Sequence, residues 1–149
     1  MSTGPVKYRS TRGAQKDMTF SEVVLQGLAS DKGLFVPEEI PKLPAGAPEI
    51  WRNHSFTELA FEVMRLYIPP NEVDDAALKD IVERSYDCGE GRWRSGDVTP
   101  CEPITDNMHT LELFHGPTFA FKDVALQFLG NLFEHLLSQV RRGGSRQRL

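Results

Sequence analysis

Lys122 is the residue whose surroundings best suit covalent chemistry. It stands where an amphipathic helix is predicted to begin, between the apolar residues 119–121 and 124–125. Scarce water and the positive end of the helix dipole both disfavour an ammonium group, so they favour the free amine. A neutral amine can attack a carbonyl carbon, which makes Lys122 a candidate for Schiff-base chemistry. The alternative is a solvated lysine whose stem lies along the apolar surface.

The residue types that bind metals are scattered along the chain. Cys88 and Cys101 lack C-x-x-C spacing, and the 4 histidines form no H-E-x-x-H pattern, so free cysteines and no metal site are expected. No run of about eighteen apolar residues is present, which excludes a transmembrane helix and predicts no membrane partner. The amino terminus lacks the apolar stretch of a signal peptide, so the predicted location is cytoplasmic.

Charge is unevenly distributed. All 21 acids and 13 of the 17 bases lie in residues 1–139, whereas residues 140–149 hold four arginines and no acid. A basic terminus can attract nucleic acid, but beside an acidic body a solvated tail is the favoured interpretation, and no nucleic-acid partner is expected. Trp93 can likewise stack on a base, although an aromatic residue that anchors a surface loop is favoured.

Three helices are predicted in the first part of the chain. Capping boxes at Thr19 and Ser55 predict helices over residues 20–29 and from residue 56 to the prolines at 69–70. Asn71 is expected to cap the third. Four prolines in residues 37–48 predict an irregular stretch. The expected core stripes are Leu59, Phe61, Val63, Leu66 and Tyr67 in the second helix, and Val73, Ala77, Leu78, Ile81 and Val82 in the third.

A hairpin and a turn are predicted to precede the Lys122 helix. Extended segments at 99–104 and 109–114 flank the turn former Asp106-Asn107 and are expected to pair. In the following turn, Gly116 permits unusual backbone angles and a proline removes a donor. The helix then presents an apolar stripe too wide to leave exposed: Val124, Phe128, Leu129, Leu132, Phe133, Leu136 and Leu137.

Three separated motifs resemble a single family. ELFHGPTFAFKDVALQFLGNLFE, residues 112–134, closely resembles the pyridoxal-lysine segment of threonine synthase, in which the lysine of the F-K-D triplet carries the cofactor. YRSTRG at residues 8–13 and DKGLFVPEEIP at residues 31–41 are similar to the amino-terminal signature of the same family. The resemblance is nearest to the fungal and bacterial form.

This resemblance implies an α/β enzyme of the second fold class of pyridoxal-phosphate enzymes (fold type II). The cofactor, pyridoxal 5'-phosphate, lies in the cleft between domains. The implied activity is that of a carbon–oxygen lyase acting on phosphates, which converts O-phospho-L-homoserine and water to L-threonine and phosphate in threonine biosynthesis. Lys122 is implied to hold the cofactor as a Schiff base and to shuttle protons between substrate carbons.

The resemblance also suggests roles for the neighbours of Lys122. His115, Gly116 and Thr118 shape the cofactor pocket, or they are plain turn residues. Asp123 hydrogen-bonds across the site, or it is a first-turn acid that stabilises its helix.

A second set of candidates lies in the first motif. Ser10, Thr11 and Arg12 are candidates for substrate binding, with the arginine meeting the substrate phosphate. An ordinary structural loop is the favoured alternative.

The expected organisation is a mostly α-helical amino-terminal domain at 1–88, a connector loop at 89–97, and at 98–149 a short β-hairpin and the start of the cofactor domain. The basic residues 141–149 resemble a connector, and the glycine-rich loop that holds the cofactor phosphate is missing. We therefore expect an amino-terminal fragment that is inactive alone and self-associates through the helix at 122–139. The alternatives are a threonine-synthase-like phospholyase and a non-catalytic truncated or splice product that binds a partner protein.

Overall fold

The computed structural model describes residues 6–89 and 91–145. In these residues the elements follow one another in this order: β1 (Tyr8–Ser10), α1 (Phe20–Gln26), β2 (Phe35–Pro37), α2 (Ala47–Trp51), α3 (Phe56–Arg65), α4 (Asp75–Tyr86), β3 (Cys101–Thr105), β4 (Met108–Leu111) and α5 (Asp123–Ser145). A mostly helical chain with a small hairpin at β3 and β4 matches the expected fold. No helix in the described part of the chain is long and apolar enough to cross a bilayer.

Strands β1 and β2 bring two of the sequence motifs together. They pair antiparallel with Tyr8 opposite Pro37 and Ser10 opposite Phe35. Tyr8 is buried, and its hydroxyl donates to the Tyr67 carbonyl at 2.8 Å. Burial, followed by the nearby Glu72 charge, raises the pKa of Tyr8 to about 12. The amino-terminal ribbon is therefore fixed to the chain that follows α3.

Both predicted capping boxes are confirmed. The Thr19 side chain accepts from the Glu22 amide while the Glu22 carboxylate accepts from the Thr19 amide, and Ser55 and Glu58 repeat the arrangement. Hydrogen bonds from Thr19 hold the pKa of Glu22 below its ordinary value. Helix α1 ends before residue 29 because Gly27 adopts a φ of 77°, which stops the helical path.

Residues 37–48 are expected to be irregular throughout, and this prediction is wrong for the last two residues of the stretch. Helix α2 begins at Ala47, after Gly46 has taken a φ of 75°. Pro48 falls in the first turn, where backbone N–H groups have no partner inside the helix, so its missing donor costs little.

Asp74, not Asn71, caps α4. The Asp74 side chain accepts from the Ala77 amide at 2.8 Å. A carboxylate at this position also interacts favourably with the helix dipole. Asn71 cannot cap α4 because the helix begins only at Asp75, after a turn in which the amides of Glu72 and Val73 donate to the Pro69 carbonyl. The neighbouring Glu72 instead accepts from the amides of Phe20 and Ser21, at 3.2 and 2.7 Å. It thus caps the first helix from a distant part of the chain.

Helix α4 lies at the centre of the core, between α3 and α5. Its predicted apolar face is confirmed, since Leu78, Ile81 and Val82 are buried. In α3 the predicted stripe is wrong at Leu59 and Val63, which are 38% and 39% exposed. These two residues lie one turn apart on the same side of α3. The α3 residues that pack against the core are Phe56, Ala60, Phe61 and Met64.

The apolar stripe of α5 is partly buried. Leu132 and Leu136 pack into the core, and α5 lies against α4 and α1. Leu129 and Leu137 remain 37% and 46% exposed. Helix α5 also continues to Ser145, so the interpretation of the basic segment as a connector is wrong for residues 141–145. Residues 146–149 lie outside the described residues.

The predicted hairpin is confirmed, although both strands are shorter than expected. β3 and β4 pair antiparallel, with Cys101 opposite Leu111 and Pro103 opposite His109. Every residue of both strands is exposed. The hairpin therefore projects from the core instead of contributing to it.

Candidate functional site

Lys122 occupies the junction between a turn and a helix. Its carbonyl accepts from the amides of Ala125 and Leu126, at 3.0 and 2.8 Å, so the residue is the N-cap of α5. The amide of Asp123 donates to the Ala120 carbonyl at 3.0 Å. The main chain at the lysine is therefore held on both sides, while its side chain remains free to project.

The expected desolvation of Lys122 is wrong for this chain. Lys122 itself is exposed, and Phe119 and Phe121 are 62% and 66% exposed. Phe119 and Phe121 face solvent, whereas Asp123 is buried and Val124 packs against the core. Within the described part of the chain, the Lys122 side chain forms no hydrogen bond or ion pair. Its amine is thus accessible and uncommitted.

Asp123 buries a carboxylate beside the lysine. The residue is 2% exposed. One carboxylate oxygen accepts from the Thr118 amide at 2.8 Å, and the Thr118 hydroxyl donates to both oxygens at 2.8 and 3.0 Å. The side chain therefore bonds backwards across the turn, while its place in the first turn of α5 also suits the helix dipole. The two interpretations of Asp123 are compatible.

Gly116 makes room for Asp123. A Cβ at residue 116 would lie 2.3 Å from the Asp123 Cβ and 2.5 Å from a carboxylate oxygen. The expected use of this glycine for unusual backbone angles is wrong, since the residue in the left-handed region is Phe119, with a φ of 60°. Close approach, not backbone freedom, requires glycine here.

His115 is held by contacts on several sides. Its Nε2 lies 2.6 Å from an Oε of Glu112, and its ring lies 4.6 Å from that of Phe114. Its carbonyl accepts from the Arg94 amide at 2.7 Å. The Arg94 guanidinium lies 4.9 Å from the centre of the Phe119 ring. Sequence reasoning missed Glu112, which the three-residue spacing to His115 signals, and Arg94, which has no local signal.

The candidates at residues 10–12 belong to a separate loop organised by Asp31. The Ser10 hydroxyl donates to the Asp31 carboxylate at 2.8 Å, and Arg12 donates to the Asp31 carbonyl at 3.2 Å. The Thr11 hydroxyl accepts from the Leu34 amide at 3.1 Å. No hydrogen bond or ion pair among the described residues joins this loop to the turn at 115–123. The contacts favour a structural role for Ser10 and Thr11.

Asp31 was missed as an organising residue. Its carboxylate also accepts from the amides of Ala14 and Gly33, at 3.0 and 2.9 Å. These bonds, that from Gly33 first, hold the pKa of Asp31 below its ordinary value. The Asp-x-Gly spacing at 31–33 is a local signal for this turn.

Hydrogen bonds at Ser85 and Tyr86, the last two residues of α4, attach α5 to the core. The Tyr86 hydroxyl donates to the Val124 carbonyl at 2.8 Å. Asn131 donates to the Ser85 hydroxyl at 2.9 Å, and the Trp93 indole donates to the Ser85 carbonyl at 3.1 Å. Trp93 is buried, which confirms the anchoring interpretation of this residue. The turn at Lys122 is therefore attached to a rigid helix.

A cavity lies away from Lys122. It has a volume of about 580 Å³ and lies between the start of α3, the end of α4 and residues 92–98. Lys122 does not line it. No group of three or more potential metal ligands was found in the described residues.

Comparison with known proteins gives a consistent result. Residues 7–86 match the family model described as threonine synthase N terminus. A threonine synthase of Schizosaccharomyces pombe is 54% identical over 134 residues, which cover 90% of this chain and 25% of that protein.

Two solved structures are similar in fold. The crystal structure of threonine synthase from yeast has a TM-score of 0.81 at 48% identity, and covers 90% of this chain and 27% of its own. The pyridoxal-phosphate-bound threonine synthase from Brucella melitensis has a TM-score of 0.82 at 38% identity, covering 93% and 28%. The chain therefore spans about a quarter of the length of the relatives it matches.

Proposed function

We propose, on the premise that this chain belongs to the threonine synthase family, that it supplies the amino-terminal part and the cofactor lysine of a pyridoxal-phosphate-dependent enzyme. The proposed reaction converts O-phospho-L-homoserine and water to L-threonine and phosphate. Support comes from the relatives' names, from the family model and from the pyridoxal phosphate that the Brucella melitensis enzyme binds. The shared name threonine synthase favours this activity over that of a related phospholyase.

One observation carries the assignment of Lys122: its amine is exposed and uncommitted at the end of a turn held by hydrogen bonds. An aldehyde cofactor requires a primary amine that is accessible and held in a defined direction. Lys122 fits both requirements. We assign the covalent attachment of the cofactor to its Nζ.

The same amine suits a second role once substrate has displaced it. A free lysine amine held at a fixed place can accept a proton from one substrate carbon and return it to another. Pyridoxal phosphate, when bound, supplies the electron sink for this chemistry. His115, Gly116, Thr118 and Asp123 then define the shape of the turn from which Lys122 projects.

The described residues offer little to the cofactor's phosphate. Helix starts bind phosphate through free N–H groups. At the start of α5, however, the amides of Asp123, Val124 and Ala125 donate to carbonyls of the preceding turn. We infer that phosphate binding depends on residues of the longer family fold, and that this chain alone does not catalyse the reaction.

Further expectations from the sequence remain predictions. The boundaries at residues 88 and 98 remain a prediction, since one core cluster includes Tyr8 of the first unit and Leu136 of the last. A cytoplasmic location and the absence of a nucleic-acid partner also remain predictions. Arg12 is exposed and remains a candidate for the substrate phosphate.

A chimera tests the function. This chain replaces the matching quarter of the Schizosaccharomyces pombe enzyme, and borohydride trapping with peptide mapping then locates the cofactor. We expect the label on Lys122, and we expect Lys122→Arg to abolish phosphate release from O-phospho-L-homoserine. Lys79→Arg is the matched control, because Lys79 contacts the Phe61 ring, 5.0 Å away, and has no role in the proposal. A label on another lysine with Lys122 unmodified would disprove the assignment.

A further inference from the structure

The Asp123 carboxylate is buried, and it accepts hydrogen bonds from one residue, Thr118. A carboxylate that is removed from water destabilises the fold unless it is hydrogen-bonded. In the described part of the chain, the Asp123 side chain forms no ion pair; it accepts one hydrogen bond from the Thr118 amide and one from the Thr118 hydroxyl, which lies within reach of both carboxylate oxygens. A charge placed in this way serves chiefly to fix the position of Thr118.

Those hydrogen bonds close a ring of main chain that contains Lys122. Inside the ring, the Asp123 amide donates to the Ala120 carbonyl at 3.0 Å, and the Phe119 amide donates to the Gly116 carbonyl before the ring at 3.2 Å. Gly116 lies against the carboxylate with no room for a Cβ. The lysine is therefore the last residue of a closed loop.

The ring is also attached to the core. The Tyr86 hydroxyl donates to the carbonyl of Val124, the residue after Asp123. The main chain that follows the lysine is thus bonded to the turn through Asp123 and to the core through Val124. Lys122 thus has an exposed side chain on a backbone that is held at two points.

We propose that Asp123 is a positioning residue for Lys122, which acts through Thr118 by closing the turn and so fixing the direction in which the lysine leaves the helix. It does not act by contact with the cofactor. The importance of that direction rests on the proposed function, whereas the closure itself is a property of this chain.

The test uses NMR on the full chain with substitutions on both sides of the contact. Asp123→Ala is expected to accelerate hydrogen exchange of the Thr118 amide by about 10- to 100-fold, the range typical of a lost bond to a charged group. The backbone order parameter of Lys122 is expected to fall from about 0.85 towards about 0.6. Asp123→Asn keeps one acceptor for the Thr118 amide, so it should restore most of the order.

Two more variants separate positioning from general stability. Asp75→Asn is the matched control, since Asp75 is likewise the first residue of its helix, but its side chain is 67% exposed. It should leave the exchange rate of the Thr118 amide and the order parameter of Lys122 unchanged. Thr118→Val removes the hydroxyl alone and should give intermediate values, and it remains informative if Asp123→Ala does not fold.

Unchanged order at Lys122 in Asp123→Ala, or in Thr118→Val if the first variant does not fold, would overturn the proposal. Equal loss of order at Lys122 in Asp75→Asn would overturn it too. Failure of the proposed function is separate, because it would appear as a trapped label on another lysine while these measurements stay the same.

Discussion

The Ser10 hydroxyl lies within hydrogen-bonding distance of both carboxylate oxygens of Asp31, at 2.8 and 2.9 Å. The two residues are 21 positions apart and belong to the two motifs at the amino-terminal end of the chain. Their contact joins the end of β1 to the turn before β2. Each motif completes hydrogen bonds of the other in this chain.

Gly33→Ala should destabilise this contact. A Cβ at residue 33 would lie 2.3 Å from the Ser10 hydroxyl, so it would push the hydroxyl away from Asp31. We expect a loss of about 1–3 kcal/mol in the free energy of unfolding, measured by urea denaturation. In the double variant Gly33→Ala with Ser10→Ala, the loss in free energy of unfolding should be smaller than the sum of the losses in the two single variants. Additive losses would contradict the clash.

Acid should weaken the same loop. The pKa of Asp31 is lowered from 3.8 in the folded state. Its contribution to stability is therefore present above pH 3.8 and is lost as pH falls below that value through the folded pKa. We expect the melting temperature to fall over this window, and Asp31→Asn to remove that part of the pH dependence. An NMR titration of the carboxyl with an ordinary midpoint would contradict this.

Gly116→Ala should disrupt the turn at Lys122, because the added methyl group meets the Asp123 carboxylate. We expect a cost of about 1–3 kcal/mol and faster exchange of the Thr118 amide. Gly130→Ala is the matched control, since nothing lies within 4 Å of a Cβ there and alanine favours the helix by about 0.8–1 kcal/mol. In urea denaturation, we expect the free energy of unfolding to fall in Gly116→Ala and to rise in Gly130→Ala. A loss of stability in both variants would argue against a specific clash.

Tyr86→Phe should loosen the attachment of α5. The loss of the bond to Val124 is expected to cost about 0.5–1.5 kcal/mol. Burial raises the pKa of Tyr86 from 10.0 to about 12. Its contribution is therefore complete below pH 10 and is lost as pH rises from 10 to 12. The melting temperature of Tyr86→Phe should therefore fall less than that of the unmodified chain as pH rises over this range. The same dependence of melting temperature on pH in both proteins would contradict the role given to Tyr86.

Self-association through α5 remains a prediction of the sequence. Leu126 and Val140 are 51% and 59% exposed, and with Leu137 they form a stripe on the outer side of the helix. We expect the sedimentation coefficient to rise with concentration, and Leu137→Lys to abolish the rise. Leu25→Lys is a control on another exposed leucine. A monomer at all concentrations would show that the stripe is tolerated in water.

Features set by neighbouring residues could be predicted from the sequence. The boxes at Thr19 and Ser55 involve residues three positions apart, so their patterns are sufficient. The exposure of Lys122 could not be predicted, because periodicity does not state which of two adjacent residues faces a distant helix. The contact of Ser10 with Asp31 also lacks a signal, since no local rule links residues so far apart.

Glu72 has a consequence for how the molecule acquires its structure. Its carboxylate bonds to the amides of Phe20 and Ser21, 52 and 51 residues earlier in the chain. During synthesis the first helix therefore lacks part of its amino-terminal cap until residue 72 has left the ribosome. Contacts between residues so far apart in sequence slow folding, because a long loop must close before the contact stabilises anything. Helix α1 is thus the first helix to be translated but among the later ones to gain all of its capping hydrogen bonds.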